Sequence, residues 1–148
     1  MARILCVEDQ SDLLLLYIDI LQAKGHAVAP FASVAGAMHH LVEEGADLLL
    51  TDWSLGLQTA APLIEAAHSR QMPTMVLTGR LEECGLSGIQ TDLVVEKPIS
   101  AAELTTFVRD LLTTGEEPQP RTPGVYARFV SESFHGLSMR MEPRLAAE

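Results

Sequence analysis

Short apolar runs separated by helix-period segments constrain this chain more than any other feature. Five runs stand out: residues 3–7 (RILCV), 26–30 (HAVAP), 47–51 (DLLLT), 73–78 (PTMVLT) and 92–96 (DLVVE). They are near-continuously apolar rather than alternating, as strands covered on both faces are. Between them, residues 11–24 carry Leu13, Leu14, Tyr17, Ile20 and Leu21 and stop at Gly25, a natural helix terminator. Residues 34–44, behind a capping Ser33, and residues 60–70 repeat the helical period. Residues 101–112 show it best, with Leu104, Phe107, Val108, Leu111 and Leu112 on one face behind a Ser100–Glu103 capping box. The segment 79–90 holds three glycines and few apolar residues, which predicts only a short or loose helix. Strands alternating with helices predict an α/β fold, a doubly wound five-stranded parallel sheet with helices on both faces. Ligands of such sheets bind beyond the carboxyl ends of the strands.

Those ends carry chemistry. The first run ends in Glu8 and Asp9, the third is followed by Asp52, the fourth ends in Thr78, and the fifth is followed by Lys97 and Pro98. A parallel sheet brings all of them to one edge. Three carboxylates held together resist ionisation unless a cation sits among them. Oxygen-only ligands suit a hard ion, and a small site that keeps waters suits Mg²⁺. Asp52 can then act as a nucleophile toward a phosphoryl group. Lys97 and the metal would neutralise the phosphoryl oxygens, and Thr78 would donate a hydrogen bond to one of them.

The set VED (7–9), TDW (51–53), LTG (77–79) and EKP (96–98) resembles the receiver domain of bacterial two-component response regulators over residues 1–113. Each piece alone is weak; the four in this order at strand ends are specific. The resemblance implies a flavodoxin-like sheet of order 2-1-3-4-5, with Asp52 as phosphoacceptor and Glu8 and Asp9 as the acidic pair that binds Mg²⁺ with Asp52. It further implies Thr78 as switch hydroxyl, Lys97 as phosphoryl contact and a cis bond before Pro98. A histidine kinase or histidine phosphotransfer protein would be the donor, and a downstream protein the target.

Three positions depart from the pattern. Val94 stands where receivers usually carry an aromatic residue three positions before the lysine. Thr78 and Lys97 are unusually close in sequence. The loop after Asp52 (WSLGLQTAAP) has Gly56 where a proline is usual.

Other classes fit less well. A pseudo-receiver, a binding module not regulated by phosphorylation, is favoured by Val94 and opposed by the intact Glu8, Asp9, Asp52 and Lys97. A phosphatase with an aspartyl nucleophile requires a second Asp at the position of Ser54, so the expectation is a signalling module rather than an enzyme. The net charge is -10, and residues 1–114 hold 15 acidic against 6 basic side chains, which disfavours nucleic-acid binding. No apolar run is long enough for a membrane span, and MARILCVED reaches acids too soon for a signal peptide, so a cytoplasmic protein is expected. Cys6 reads as a small core residue, and Cys84 has no neighbour set to activate it.

His39 and His40, adjacent on a helix, read as a solvated face, and Trp53 as a partly exposed wall beside the site. Residues 114–124 (TGEEPQPRTPG) read as a Pro-rich linker, and residues 125–148 as a short tail. In that tail Tyr126, Phe129, Val130, Phe134 and Leu137 share a helical face, which predicts an amphipathic helix that docks on the receiver, a partner or a second copy (a possible homodimer). The tail is too short and too little basic for a DNA-binding domain.

Overall fold

The computed structural model describes residues 1–80, 91–114, 126–130 and 141–142. Four helices and nine strands lie among them, in the order β1 (Arg3–Val7), α1 (Ser11–Ala23), β2 (Ala27–Phe31), α2 (Val34–Glu43), β3 (Leu48–Asp52), β4 (Ser54–Leu55), β5 (Gln58–Thr59), α3 (Ala61–Ser69), β6 (Thr74–Thr78), β7 (Leu93–Glu96), α4 (Ala101–Thr114), β8 (Tyr126–Val130) and β9 (Met141–Glu142). Five strands run parallel in the order β2-β1-β3-β6-β7, the flavodoxin-like order expected. The five apolar runs and four helical segments fall within a residue or two of their predicted bounds. The segment between Arg80 and Thr91 lies outside the described residues.

Each element forms for a local reason. Ser33 accepts from the Gly36 amide and caps α2, and Ser100 and Glu103 exchange both bonds of the capping box ahead of α4. The central strands β3 and β6 are buried at every position, so their burial follows from lying between two helical layers. One layer, α2 and α3, packs Leu41, Leu63 and Ile64 on Leu5, Leu49, Val76 and Val94. The other, α1 and α4, packs Tyr17, Leu21, Leu104 and Phe107 on Ile4, Leu50, Met75 and Val95. Cys6 is fully buried, and burial, helped by Glu8, pushes its thiol up to about 12, so it is inert core.

Three expectations are corrected. The tail extends the five-stranded parallel sheet at its β7 edge: β8 pairs parallel with β7, and β9 antiparallel with β8. Residues 126–130 are therefore a strand and not the start of an amphipathic helix; the rest of the predicted helix lies outside the described residues. The segment VYARFV supports either period, and pairing with β7, a contact far away in sequence, decides for the strand. Thr114, assigned to the linker, is the last residue of α4. Trp53 is buried, only 5% exposed, within the α2/α3 layer, because the chain after it folds back as a hairpin instead of leaving the site.

Candidate functional site

The carboxyl ends of β1, β3, β6 and β7 meet at one edge of the sheet, and their register sets who meets whom. Thr51 pairs with Val7 on one side and Val76 on the other, so Asp52 ends β3 between Glu8 and Leu77, with Thr78 one residue further along. Glu8 is completely buried and Asp52 nearly so. Carboxylate oxygens of Glu8, Asp9 and Asp52 all lie within 4.8 Å of one another. Lys97, just past β7, reaches into this group and places Nζ 3.2 Å from both Glu8 Oε1 and Asp52 Oδ2. The Lys97–Pro98 bond is cis.

Backbone amides hold the remaining oxygens. The Trp53 N–H donates to Asp52 Oδ1 at 3.0 Å, and the Gln10 N–H to Glu8 Oε2 at 3.1 Å. The Gly56 N–H donates to Asp9 Oδ2 at 3.0 Å. That last bond exists because residues 54–59 form a two-stranded hairpin, Ser54 opposite Thr59 and Leu55 opposite Gln58. Gly56 takes φ +68° at the first central position of its two-residue turn, where glycine alone is comfortable. Sequence reasoning flagged Gly56 as a departure and missed the hairpin; a glycine opening a two-residue loop was the available signal. Thr78 ends β6 beside the group, but its hydroxyl is engaged locally, accepting from the Arg80 N–H at 3.0 Å and lying 3.1 Å from the Arg80 carbonyl. Val94 is buried on the α2/α3 face with Trp53 and Val76, away from the carboxylates. His39 is exposed, and His40 packs its ring at a tilt against Phe31 with ring centroids 5.3 Å apart, so neither joins the site.

The electrostatics follow from this crowding. Burial, then the Asp52 charge, pushes the Glu8 carboxyl above its ordinary range, with Lys97 and the Gln10 amide pulling it back. Burial pushes Asp52 up too, against Lys97 and the Trp53 amide. Burial also pushes the nearby Tyr17 hydroxyl far up, reinforced by both carboxylates. A buried acidic group left unbalanced by one lysine fits a hard divalent cation held by oxygens.

These shifts give a signed prediction. Glu8 and Asp52 bind protons more tightly folded than unfolded, so their contribution to stability is present below the unfolded carboxylate range and is lost as pH rises through the raised folded values. Without divalent metal, the melting-temperature gap between wild type and Asp52→Asn should therefore shrink as pH is lowered from neutral toward the ordinary carboxylate range. This difference cancels the opposite contribution of His26, which burial holds below its usual value. Asp52→Asn should raise the melting temperature at pH 7, by roughly 4 °C for each kcal/mol of repulsion relieved. Saturating Mg²⁺ should flatten the trend, because a cation favours the ionised carboxylates. Thermal melts across that range, with and without metal, check all three.

A doubly wound sheet with three carboxylates and a lysine at its carboxyl edge is the architecture of receiver domains. The chain carries a domain of the response regulator receiver type over the residues matched below. A receiver domain of CheY-like type from Methanospirillum hungatei superposes with a TM-score of 0.72 at 25% identity, covering 79% of this chain and 98% of that one. The phosphate regulon transcriptional regulatory protein PhoB of Klebsiella pneumoniae is 32% identical over 117 residues, 74% of this chain and 51% of that protein. The protein of the same name from Rhizobium meliloti is 33% identical over 118 residues, 74% of this chain and 52% of that protein. The chain thus spans about half the length of the curated relatives it matches. No protein-family model matches it. No helix among the described residues is long and apolar enough to cross a membrane.

Proposed function

We propose that Asp52 accepts a phosphoryl group from a phosphohistidine donor, a histidine kinase or histidine phosphotransfer protein, in a Mg²⁺-dependent reaction whose output is a protein–protein contact. One observation carries the reading: Lys97 Nζ sits 3.2 Å from Asp52 and from Glu8, at the mouth of a three-carboxylate group. In the transfer an Asp52 oxygen forms a bond to phosphorus, the P–N bond to the donor imidazole breaks, and the imidazole keeps that electron pair and takes up a proton. The Trp53 amide orients the Asp52 carboxylate, and Lys97 meets the charge on the phosphoryl oxygens. Glu8, Asp9 and Asp52 would hold the metal, which supplies charge neutralisation when bound. Thr78 must leave its bonds within residues 78–80 before its hydroxyl can serve a phosphoryl oxygen. A protein partner agrees with the acidic body, which disfavours nucleic acid, and Leu15 and Leu16, 60% and 48% exposed on α1 just past the site, offer apolar surface to it; a cytoplasmic setting is part of the same proposal.

A second reading, a binding module not regulated by phosphorylation, is favoured by the buried Val94 where an aromatic switch residue would stand. Fluorescence of the single tryptophan separates the two. Trp53 donates its amide to Asp52, so Mg²⁺ followed by beryllofluoride, a phosphoryl mimic, should change its emission in two saturable steps. No response to beryllofluoride in the presence of Mg²⁺ would favour the second reading.

A further inference from the structure

The two edges of the parallel sheet are protected differently. At the β2 edge stands Pro30, which lacks an N–H and weakens that strand as a template for another chain. At the opposite edge β7 is covered by this chain's own β8, in the register Leu93–Ala127, Val94–Arg128, Val95–Phe129 and Glu96–Val130.

The connection into β8 is topologically unusual. The crossovers through α2 and α3 step along the sheet toward β7 on one face, and the crossover through α1 steps the other way on the opposite face, so all three share one hand. The crossover from β7 to β8 steps in the direction of α2 and α3, yet its helix, α4, lies on the α1 face. Its hand is therefore opposite to the rest, the hand that twisted parallel strands disfavour. The eleven residues 115–125 give ample chain for the connection within one molecule, where two to six suffice for most helix–strand links.

The register also ties this cover to the site. The last β7–β8 pair is Glu96–Val130, and the next residue is Lys97, whose side chain bridges Glu8 and Asp52 and whose N–H donates to the Thr78 carbonyl at 2.8 Å. A phosphoryl group on Asp52 competes with Glu8 for Lys97, so the disturbance reaches the end of the β7–β8 ladder within one residue.

We infer that β8 is a releasable cover supplied by the same chain, held on the β7 edge in the unphosphorylated state and let go when Asp52 is phosphorylated, exposing that edge. The release rests on the phosphoacceptor reading; the position of the strand does not.

The full chain carrying Glu96→Cys, Val130→Cys and Cys84→Ser tests both. Paired residues on neighbouring strands lie about 4.8 Å apart, within disulfide reach. Under mild oxidation the bond should close within one chain, seen as a faster-migrating monomer on a non-reducing gel. Mg²⁺ and beryllofluoride should slow closure roughly fivefold or more, the low end of usual coupling between sites, and should have no effect when Asp52→Asn is added. A bond between two chains, or none at all, overturns the placement of β8. An unchanged rate while Trp53 fluorescence shows beryllofluoride bound overturns the release and leaves the phosphoacceptor reading standing. Failure of beryllofluoride to bind overturns that reading and the release together, whereas closure within one chain would still place the strand.

Discussion

Asp52→Asn should yield a folded protein that incorporates no base-labile phosphate from a phosphohistidine donor. Asp52 is the only carboxylate at the end of the central strand, and it is fixed by the Trp53 amide on one oxygen and faces Lys97 with the other. Glu8, the nearest alternative, is fully buried, with its oxygens occupied by Lys97 and the Gln10 amide. The amide of asparagine keeps the shape and removes the nucleophilic charge, so the loss should be complete rather than graded. A radiolabelled donor, with the variant's melting curve as a control for folding, measures it. The same substitution should stabilise the protein without metal, so lost labelling through misfolding is distinguishable. Undiminished labelling would move the acceptor elsewhere.

Removing divalent metal should be nearly as severe. Lys97 pairs with both Glu8 and Asp52 in a group of three carboxylates, and a phosphoryl group brings further negative charge to the same spot. Chelation, or Asp9→Ala in the presence of Mg²⁺, should lower the labelling rate by at least ~10²-fold, the scale on which deleting one charge-stabilising group reduces a reaction. Asp9 is exposed, and the bond it accepts from the Gly56 amide lies on the surface, so the variant should fold normally. Rates across a Mg²⁺ titration separate lost affinity, rescued at high metal, from lost chemistry. Labelling that persists with excess chelator would give the acidic pair another role.

Much of this was legible in the sequence because buried parallel strands and amphipathic helices impose different periods. Runs such as LLLT (48–51) and TMVLT (74–78) can satisfy only a strand between two layers, and Leu104, Phe107 and Val108 only a helix face. The charged residues of the site were legible for the same reason: a carboxylate at the end of a buried strand is conspicuous. Their orientation was not. The donors that hold Glu8, Asp9 and Asp52 are backbone N–H groups of Gln10, Gly56 and Trp53, and every residue but proline has one. Burial of Trp53 depends on the hairpin after it, whose strands of two residues are too short for any pattern. The strand at 126–130 failed for the opposite reason. Tyr126, Phe129 and Val130 fit a helical period, and only the distant β7 edge selects extended backbone.

The most direct test of phosphoacceptor function is to trap the modified residue. The protein is treated with a small phosphodonor and Mg²⁺, reduced with borohydride, which converts an aspartyl phosphate to homoserine, and sequenced by tandem mass spectrometry. Homoserine at position 52 and nowhere else, absent when Mg²⁺ is withheld, is the predicted result. Homoserine at any other aspartate, or none under conditions where Trp53 fluorescence shows metal bound, would contradict it.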